Sequence, residues 1–282
     1  MISGDPIDSL VGDDAPAEVI EHYTKKYGFD RPLHIQYFSY LGAVLTGEFG
    51  ISYSDETPAI DLIIEAIPKT LQLGATAFLC SLLISIPLGI IAALNRNKSL
   101  DRFVMSFAVF GFSVPNFFFG IMLILLFSLK LRLLPSSGSD TLWHLILPAV
   151  TLATHETGSL VRFTRSAMLE VLSKPFMRTA KAKGIPRQPR LKNHALPNAS
   201  LPILTILGFR LGSLIAGSIV TETVFAWPGI GRLLVNSVAS RDLAVVQAIL
   251  ILVAGTMIIA NMAVDILYSW IDPRVRIKAE RS

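Results

Sequence analysis

Apolar residues dominate five long stretches of the chain, and each stretch is long enough to cross a membrane as a helix. A hydrocarbon core about 30 Å thick needs roughly 20 predominantly apolar residues in a helix. Such stretches run from about 70 to 94, 103 to 129, 142 to 161, 201 to 220 and 243 to 270. The pattern predicts an all-α, polytopic transmembrane helix bundle. Pro87, Pro115 and Pro148 lie inside these stretches, where we expect kinks rather than breaks.

Composition and charge support a membrane protein. Hydrophobic residues make up 52% of the 282-residue chain and charged residues only 16%, whereas a soluble domain carries roughly 25% charged residues. The net charge of +4 hides an asymmetry, because residues 1–68 hold twelve carboxylates and three basic side chains. The whole-chain charge therefore does not point to nucleic acid. The one cysteine, Cys80, lies within an apolar stretch, where we expect a buried thiol.

Lys and Arg cluster in three segments between or after the apolar stretches. These segments are 95–102, 162–200 and 271–282, and all three fall on one side of the membrane when five spans alternate in direction. Short loops rich in Lys and Arg stay in the cytoplasm. We therefore expect a cytoplasmic loop at 162–200, a cytoplasmic tail at 271–282, an extracytoplasmic segment at 1–69 and a transmembrane domain at 70–270.

The acidic first segment raises a question of topology. Its first residues form neither a signal peptide nor a span, yet the charge pattern places it outside the cytoplasm. We expect a further helix upstream of residue 1, which would bring the fold to six spans. An N-terminal tail carried across the membrane by an insertase is the alternative.

The most informative piece of the chain lies in the predicted cytoplasmic loop. Residues 174–186 predict a short helix that ends at a glycine, Gly184. This segment resembles the permeases of ATP-binding-cassette importers, whose cytoplasmic loop carries Glu-Ala-Ala, three further residues and Gly. Arg178-Thr179-Ala180 occupies the Glu-Ala-Ala position. The Arg-Thr-Ala form is similar to the dipeptide and oligopeptide branch, which includes nickel and glutathione permeases.

Further motifs along the chain are similar to the same branch. They are Gly4-Asp5-Pro6 and the segments 113–117, 134–138, 222–231 and 271–274. The resemblance covers essentially the whole chain and implies the fold of a type I ABC importer permease, with five of six expected spans present. The chain departs from the usual pattern at Pro186, Pro189, Pro197 and Arg210.

The resemblance implies a mechanical role in a bacterial inner membrane. No Gly-x-x-x-x-Gly-Lys-Ser/Thr phosphate loop occurs in the sequence, so we expect a non-catalytic transport subunit without a cofactor. The implied partners are two ATP-binding subunits, a second homologous permease, an extracytoplasmic solute-binding protein and the lipid bilayer, with no nucleic acid. We expect the short helix to dock on an ATPase with its apolar side as the anchor. The expected contact residues are Phe176, Arg178, Thr179, Ala180, Ala182, Lys183 and Gly184.

Three other interpretations of the loop and the bundle stay open. The basic loop could meet anionic lipid rather than an ATPase. The bundle could belong to a secondary transporter driven by an ion gradient, or to a non-transporting membrane scaffold or receptor. The five histidines are scattered along the sequence and form no cluster of metal ligands.

Several polar residues lie within or near the predicted spans. A charge at the centre of a span costs about 2.5 to 3.5 kcal/mol on insertion scales, so such residues invite a functional interpretation. Glu156, Arg210 and Glu222 are candidates for a translocation path or gate, with Glu222 and Trp227 at its outer mouth. The alternative is that Arg210 has an internal structural partner and that Asp265 lies near the cytoplasmic interface.

Overall fold

The computed structural model describes residues 16–28, 30–212 and 218–271, and over these ranges the chain is built from helices. The described helices are α1 (Ala17–Tyr27), α2 (Leu33–Leu45), α3 (Ala59–Leu94), α4 (Ser99–Ser113), α5 (Asn116–Leu123), α6 (Leu142–Ser173), α7 (Pro175–Ala182), α8 (Arg187–Arg190), α9 (Leu196–Gly212), α10 (Ile219–Val224), α11 (Ile230–Ala239) and α12 (Leu243–Ile271). A π-helical segment, Ile124–Lys130, continues α5, and a second one, Leu191–Ala195, joins α8 to α9. The predicted all-α class is confirmed.

Two of the described helices are long and apolar enough to cross a membrane by length and composition alone. They are α3 and the Leu243–Ala263 part of α12. A third crossing results if α4 and the helix from Asn116 to Lys130 count as one span. The third and fourth predicted spans correspond to α6 and α9, which do not meet the same criterion within the described residues.

Pro115 breaks the second span, although a kink was expected there. The two halves of that span meet at 99°, and Pro115 stands at the cap of α5. Proline disfavours the helical conformation of the residue before it, and Val114 is accordingly extended, with φ −78° and ψ 126°. By contrast, Pro87 and Pro148 lie inside continuous helices.

Two helices extend past the predicted segment boundaries. Helix α3 begins at Ala59 rather than near residue 70, because its first turns bury Ala59, Ile63 and Ala66 against α11 and α12. Helix α6 continues to Ser173, so the predicted loop 162–200 starts inside a helix. Residues 59–69 and 162–173 therefore extend α3 and α6 beyond the apolar stretches from which the spans were predicted.

Helix α6 is the central element of the bundle, and glycines let its neighbours come close. A Cβ atom on Gly158 would collide with the carbonyl oxygen of Ala108 in α4. One on Gly89 of α3 would lie 2.6 Å from the Cβ atom of Thr164. The α6 surface between these contacts is buried. The face of α6 that remains accessible is therefore the one turned away from α3 and α4.

The side chain of Cys80 is exposed in this chain, contrary to the expected buried thiol. The apolar run around it made burial the natural expectation, but apolar positions of a membrane helix can face lipid or a partner instead of the chain's own core.

A turn in the N-terminal part of the chain is tied to the start of α12. The carboxylate of Asp242 accepts hydrogen bonds from the Ser52 hydroxyl (2.6 Å) and the Tyr53 backbone N–H (3.0 Å). Its other oxygen accepts the backbone N–H of Val245 at 3.3 Å, which caps α12. One buried carboxylate thus joins residues 190 positions apart.

Candidate coupling surface and polar path

The short helix α7 is defined sharply at both ends. Lys174 is extended (φ −64°, ψ 149°), so it both ends α6 and precedes α7, and Pro175 fills the first helical position, where its missing N–H costs nothing. At the other end Gly184 has φ 76°. The Gly184 N–H bonds the Lys181 carbonyl (3.0 Å) and the Ile185 N–H bonds the Ala180 carbonyl (3.2 Å), which is a Schellman motif.

One face of α7 is anchored to the bundle. Met177 and Ala180, three residues apart, are only 5% and 7% exposed. Met177 packs in a cluster contributed by four other elements: the end of α3, the end of α6, the π-helical segment before α9, and α9 itself. These neighbours are Ala93, Met168, Val171, Ala195 and Ala199. A displacement of α7 would therefore press on three long helices at once.

The opposite face of α7 is accessible. Arg178, Thr179, Ala182, Lys183 and Gly184 are all exposed, and Phe176 is 41% exposed. Ala180 is the exception among the expected contact residues, since it faces the bundle. The apolar side of α7, expected to anchor an ATPase, is instead occupied within the chain, because α3, α6 and α9 meet beneath it. Phe176 is the large apolar side chain left on the outer face.

A bidentate ion pair braces the neighbouring loop. Arg165 of α6 donates from Nε and Nη2 to the two carboxylate oxygens of Asp101, at 2.7 and 2.8 Å. Asp101 also accepts the backbone N–H of Asn97 at 2.8 Å. Sequence reasoning missed this pair. The available signal was a lone carboxylate, Asp101, in the basic segment 95–102.

Glu156 and Arg210, two of the charged residues predicted within or near the spans, lie together. The Nη1 atom of Arg210 in α9 donates to Glu156 Oε1 of α6 at 2.9 Å, and its Nη2 atom donates to the Ser159 hydroxyl at 2.9 Å. Both charged side chains keep some exposure, 28% for Arg210 and 22% for Glu156. The pair thus joins α6 to α9 while both side chains stay partly exposed.

Two further side chains of α6, His155 and Arg162, contact an aromatic ring of α4. The Phe112 ring stacks on His155 with centroids 5.0 Å apart, and the Arg162 guanidinium lies 5.7 Å from the centre of the same ring. The negative face of an aromatic ring attracts a guanidinium that lies above it, which is a cation–π interaction.

Glu222 is completely buried, at 0% exposure, so it does not line an open mouth. Its Oε1 atom accepts the hydroxyls of Thr70 (2.8 Å) and Ser218 (2.7 Å). Its Oε2 atom accepts the backbone N–H groups of Gly231 (2.7 Å) and Arg232 (3.2 Å). These N–H groups belong to the first turn of α11, so a side chain of α10 caps α11.

The glycines of the segment 222–231 explain how the carboxylate reaches that turn. A Cβ atom on Gly229 would lie 2.5 Å from Glu222 Oε2, and one on Gly231 would lie 2.9 Å from it. Trp227 is also buried and donates from Nε1 to the Lys69 carbonyl at 2.8 Å. The Gly-x-Gly pattern therefore permits close packing around a carboxylate, and Trp227 is a core residue rather than part of an open mouth.

Some predicted features lie outside the described residues. They are Gly4-Asp5-Pro6, the cytoplasmic tail from Asp272 onward and the side chain of Asp265. Among the described residues, no three or more His, Cys, Asp or Glu side chains are grouped to hold a metal ion.

The family of this helical bundle follows from its sequence. Residues 85–277 match the family described as the binding-protein-dependent transport system inner membrane component. The chain belongs to this family and is a permease subunit of an ABC importer of the inner membrane.

Two relatives of this chain are permeases that are named for glutathione transport. The chain is 41% identical to the glutathione transport system permease protein GsiC of Escherichia coli K12, over 99% of this chain and 91% of that protein. The GsiC protein of Salmonella typhimurium LT2 matches with the same identity and coverage.

Solved structures support the fold. A chain of the MetNI methionine ABC transporter in an inward-facing conformation has a TM-score of 0.64 at 17% identity, covering 76% of this chain and 97% of that one. A chain of an amino acid ABC transporter crystallised with histidines has a TM-score of 0.54 at 17% identity, covering 76% and 94%.

Proposed function

We propose that this chain forms one half of the translocation path of an ATP-driven importer of short peptides, and that α7 couples the path to partner ATPases. Two ATP-binding subunits, a second permease and an extracytoplasmic binding protein complete the importer. The C-terminal tail and α7 face the cytoplasm, in agreement with the clustering of Lys and Arg in 162–200 and 271–282.

The observation that carries the proposal is the division of α7 into an anchored face and a free face. Phe176, Arg178 and Lys183 are exposed, and of these Phe176 and Arg178 are of residue types enriched at protein interfaces. Met177 and Ala180 face the bundle. Movement of an ATPase bound to the free face is transmitted through Met177 to the ends of α3, α6 and α9, and that movement favours one access state over the other.

The accessible polar face of α6 is the proposed wall of the path. Ionisable groups within membrane segments face a bundle interior or a water-filled cavity in nearly all cases. Glu156 and Arg210 retain partial exposure in the single chain, so the second permease or the path itself must cover them. Glu222 supports the path from behind by holding α11 in place.

Short peptides are the proposed substrate class, and glutathione is the first candidate. The GsiC relatives are named for glutathione transport, and glutathione is a tripeptide. Dipeptides and oligopeptides are the other substrates indicated by the motifs of the cytoplasmic loop. Nickel is the remaining alternative in that branch.

The proposal is tested by uptake into proteoliposomes that contain the complete importer, with the binding protein added outside. Labelled glutathione, trialanine and Ni²⁺ are supplied in turn, with ATP inside or with an imposed proton or sodium gradient. We expect uptake of a peptide that requires internal ATP. Gradient-driven uptake without ATP would identify a secondary transporter, and ATP-driven uptake of Ni²⁺ alone would overturn the peptide assignment.

A further inference from the structure

Polar side chains form a stripe along one face of α6. His155, Ser159, Arg162 and Ser166 follow each other at intervals of four, three and four residues, which places them on one side of a helix. All four remain at least partly exposed. The other side of the helix, including Leu160, Val161, Thr164 and Ala167, is buried against the bundle.

The part of this stripe inside the predicted span, His155 and Ser159, cannot face lipid, whereas Arg162 and Ser166 fall in the predicted cytoplasmic segment 162–200. Charged groups such as Glu156 and Arg210 are costly in hydrocarbon, and lipid offers imidazole and hydroxyl groups no hydrogen-bond partners. This part of the stripe therefore faces a hydrated path or the second permease. At the N-terminal end of the stripe, Glu156, the residue after His155, forms an ion pair with Arg210 of α9.

The ion pair between Glu156 and Arg210 has the chemistry of a peptide's two ends. Glu156 offers a carboxylate that can accept from an ammonium group, and Arg210 offers a guanidinium that can bind a carboxylate with two N–H groups. The pair already satisfies both charges within the protein, at 2.9 Å. Both side chains keep partial exposure in the single chain, and the buried Glu156 Oε2 atom, which accepts no hydrogen bond from the described residues, is left for a ligand donor once the pair opens.

We propose that Glu156 and Arg210 form a binding site for the free termini of a peptide in the path. The peptide ammonium takes the place of Arg210 beside Glu156, and the peptide carboxylate takes the place of Glu156 beside Arg210. Each exchange replaces one charge-assisted interaction by another, so neither charge loses its partner. The inference rests on the proposed function, since it assigns the substrate-binding groups of the same path.

The exchange selects for peptides with two free ends. An N-acetylated peptide separates the pair but leaves Glu156 without a cation, and a C-terminal amide leaves Arg210 without an anion. Hydrogen bonds to charged groups contribute about 1.5 to 3 kcal/mol. That range corresponds to about ten-fold to one-hundred-fold weaker binding for each blocked end.

The site can be probed without the binding protein by protecting a cysteine beside the pair. The chain has one cysteine, so a Cys80→Ser, Ser159→Cys variant carries a single thiol in the stripe. The assembled, nucleotide-free importer is treated with a membrane-impermeant maleimide, and labelling of this chain is read on a gel. The probes are trialanine, N-acetyltrialanine and trialanine amide, with S-methylglutathione and its N-acetyl form in parallel.

We expect the free peptide to protect the thiol at a concentration about ten-fold or more below that of either blocked form. Glu156→Gln should abolish the penalty for N-acetylation and keep the penalty for the amide. Arg210→Gln should do the opposite. Glu21→Gln, which alters an exposed ion pair with Lys25 outside the bundle, should leave both penalties unchanged.

The results separate this inference from the proposed function. If the importer takes up peptide but both penalties persist in Glu156→Gln and Arg210→Gln, or no peptide protects the thiol, the termini bind elsewhere and the inference is wrong. If the importer takes up no peptide with ATP, the proposed function itself fails. Should either single variant not assemble, the exchanged pair Glu156→Arg with Arg210→Glu replaces it. Retained penalties there support the site, and lost penalties refute it.

Discussion

The buried carboxylate of Glu222 provides the most quantitative test of the packing around the path. Replacing Glu222 by Ala removes the acceptor of two hydroxyls and of the Gly231 and Arg232 N–H groups. The hydroxyls can turn to other partners, but the two backbone N–H groups cannot. A buried donor without a partner costs about 1 to 3 kcal/mol, so Glu222→Ala should lose about 4 kcal/mol of stability.

Glu222→Gln should be much milder. The glutamine oxygen can accept the two N–H groups of α11, while its amide nitrogen faces the hydroxyls of Thr70 and Ser218, which are able to accept. The loss is then mainly that of the charge and of its interaction with the helix N-terminus, about 1 kcal/mol. The expected order of stability is wild type, then Gln, then Ala.

The order of stability can be measured by heating the purified permease complex in detergent and recording the temperature at which its monodisperse peak is lost in size-exclusion chromatography. With about 2 °C per kcal/mol for a chain of this size, we expect a decrease of about 8 °C for Glu222→Ala and about 2 °C for Glu222→Gln. Glu65→Ala is the matched control, since Glu65 is an exposed carboxylate on the neighbouring α3. Equal temperatures for wild type and Glu222→Ala would refute the capping role.

Three further predictions concern single residues. Gly158→Ala should cost about 1 to 3 kcal/mol, because the new methyl group meets the Ala108 carbonyl, and the same thermal assay should show no loss for Gly255→Ala, where no atom lies within 4 Å. Asp242→Ala should speed proteolytic cleavage at residues 50–58, whose turn it holds, and unchanged cleavage would contradict that role. Gly184→Val should leave the amount of protein in the membrane unchanged but lower the peptide uptake per ATP hydrolysed, since φ 76° is strained for a branched residue. A normal ratio of uptake to hydrolysis would count against the role of this turn.

Features with a local cause could be predicted from the sequence. Apolar stretches marked the helices, and proline at position 175 with glycine at 184 marked the ends of α7, because both residues act on their own backbone. The sequence also indicates which residues of α7 share a face. Met177 and Ala180 are three residues apart, a spacing that indicates a common face, but the sequence does not say whether that face meets its own bundle or a partner.

Features that depend on distant residues were not predictable in the same way. Glu222 looked like a path residue because carboxylates near a membrane are rare, yet its role depends on Thr70, 152 positions earlier. Asp101 and Arg165 are 64 positions apart, and only packing of α4 against α6 brings them together. The pairing of Glu156 with Arg210 was anticipated only as a general internal partner for Arg210.

The most direct test of coupling through α7 is the ratio of peptide imported to ATP hydrolysed in proteoliposomes. Phe176→Ala and Arg178→Glu alter its free face without touching the anchored face, and Lys98→Glu makes the same change of charge on another exposed, basic segment. We predict that the two α7 variants lower ATP-driven uptake about ten-fold or more, as expected for the loss of a central interface residue. Lys98→Glu should behave as wild type. Wild-type uptake and coupling ratio in both α7 variants would contradict the account.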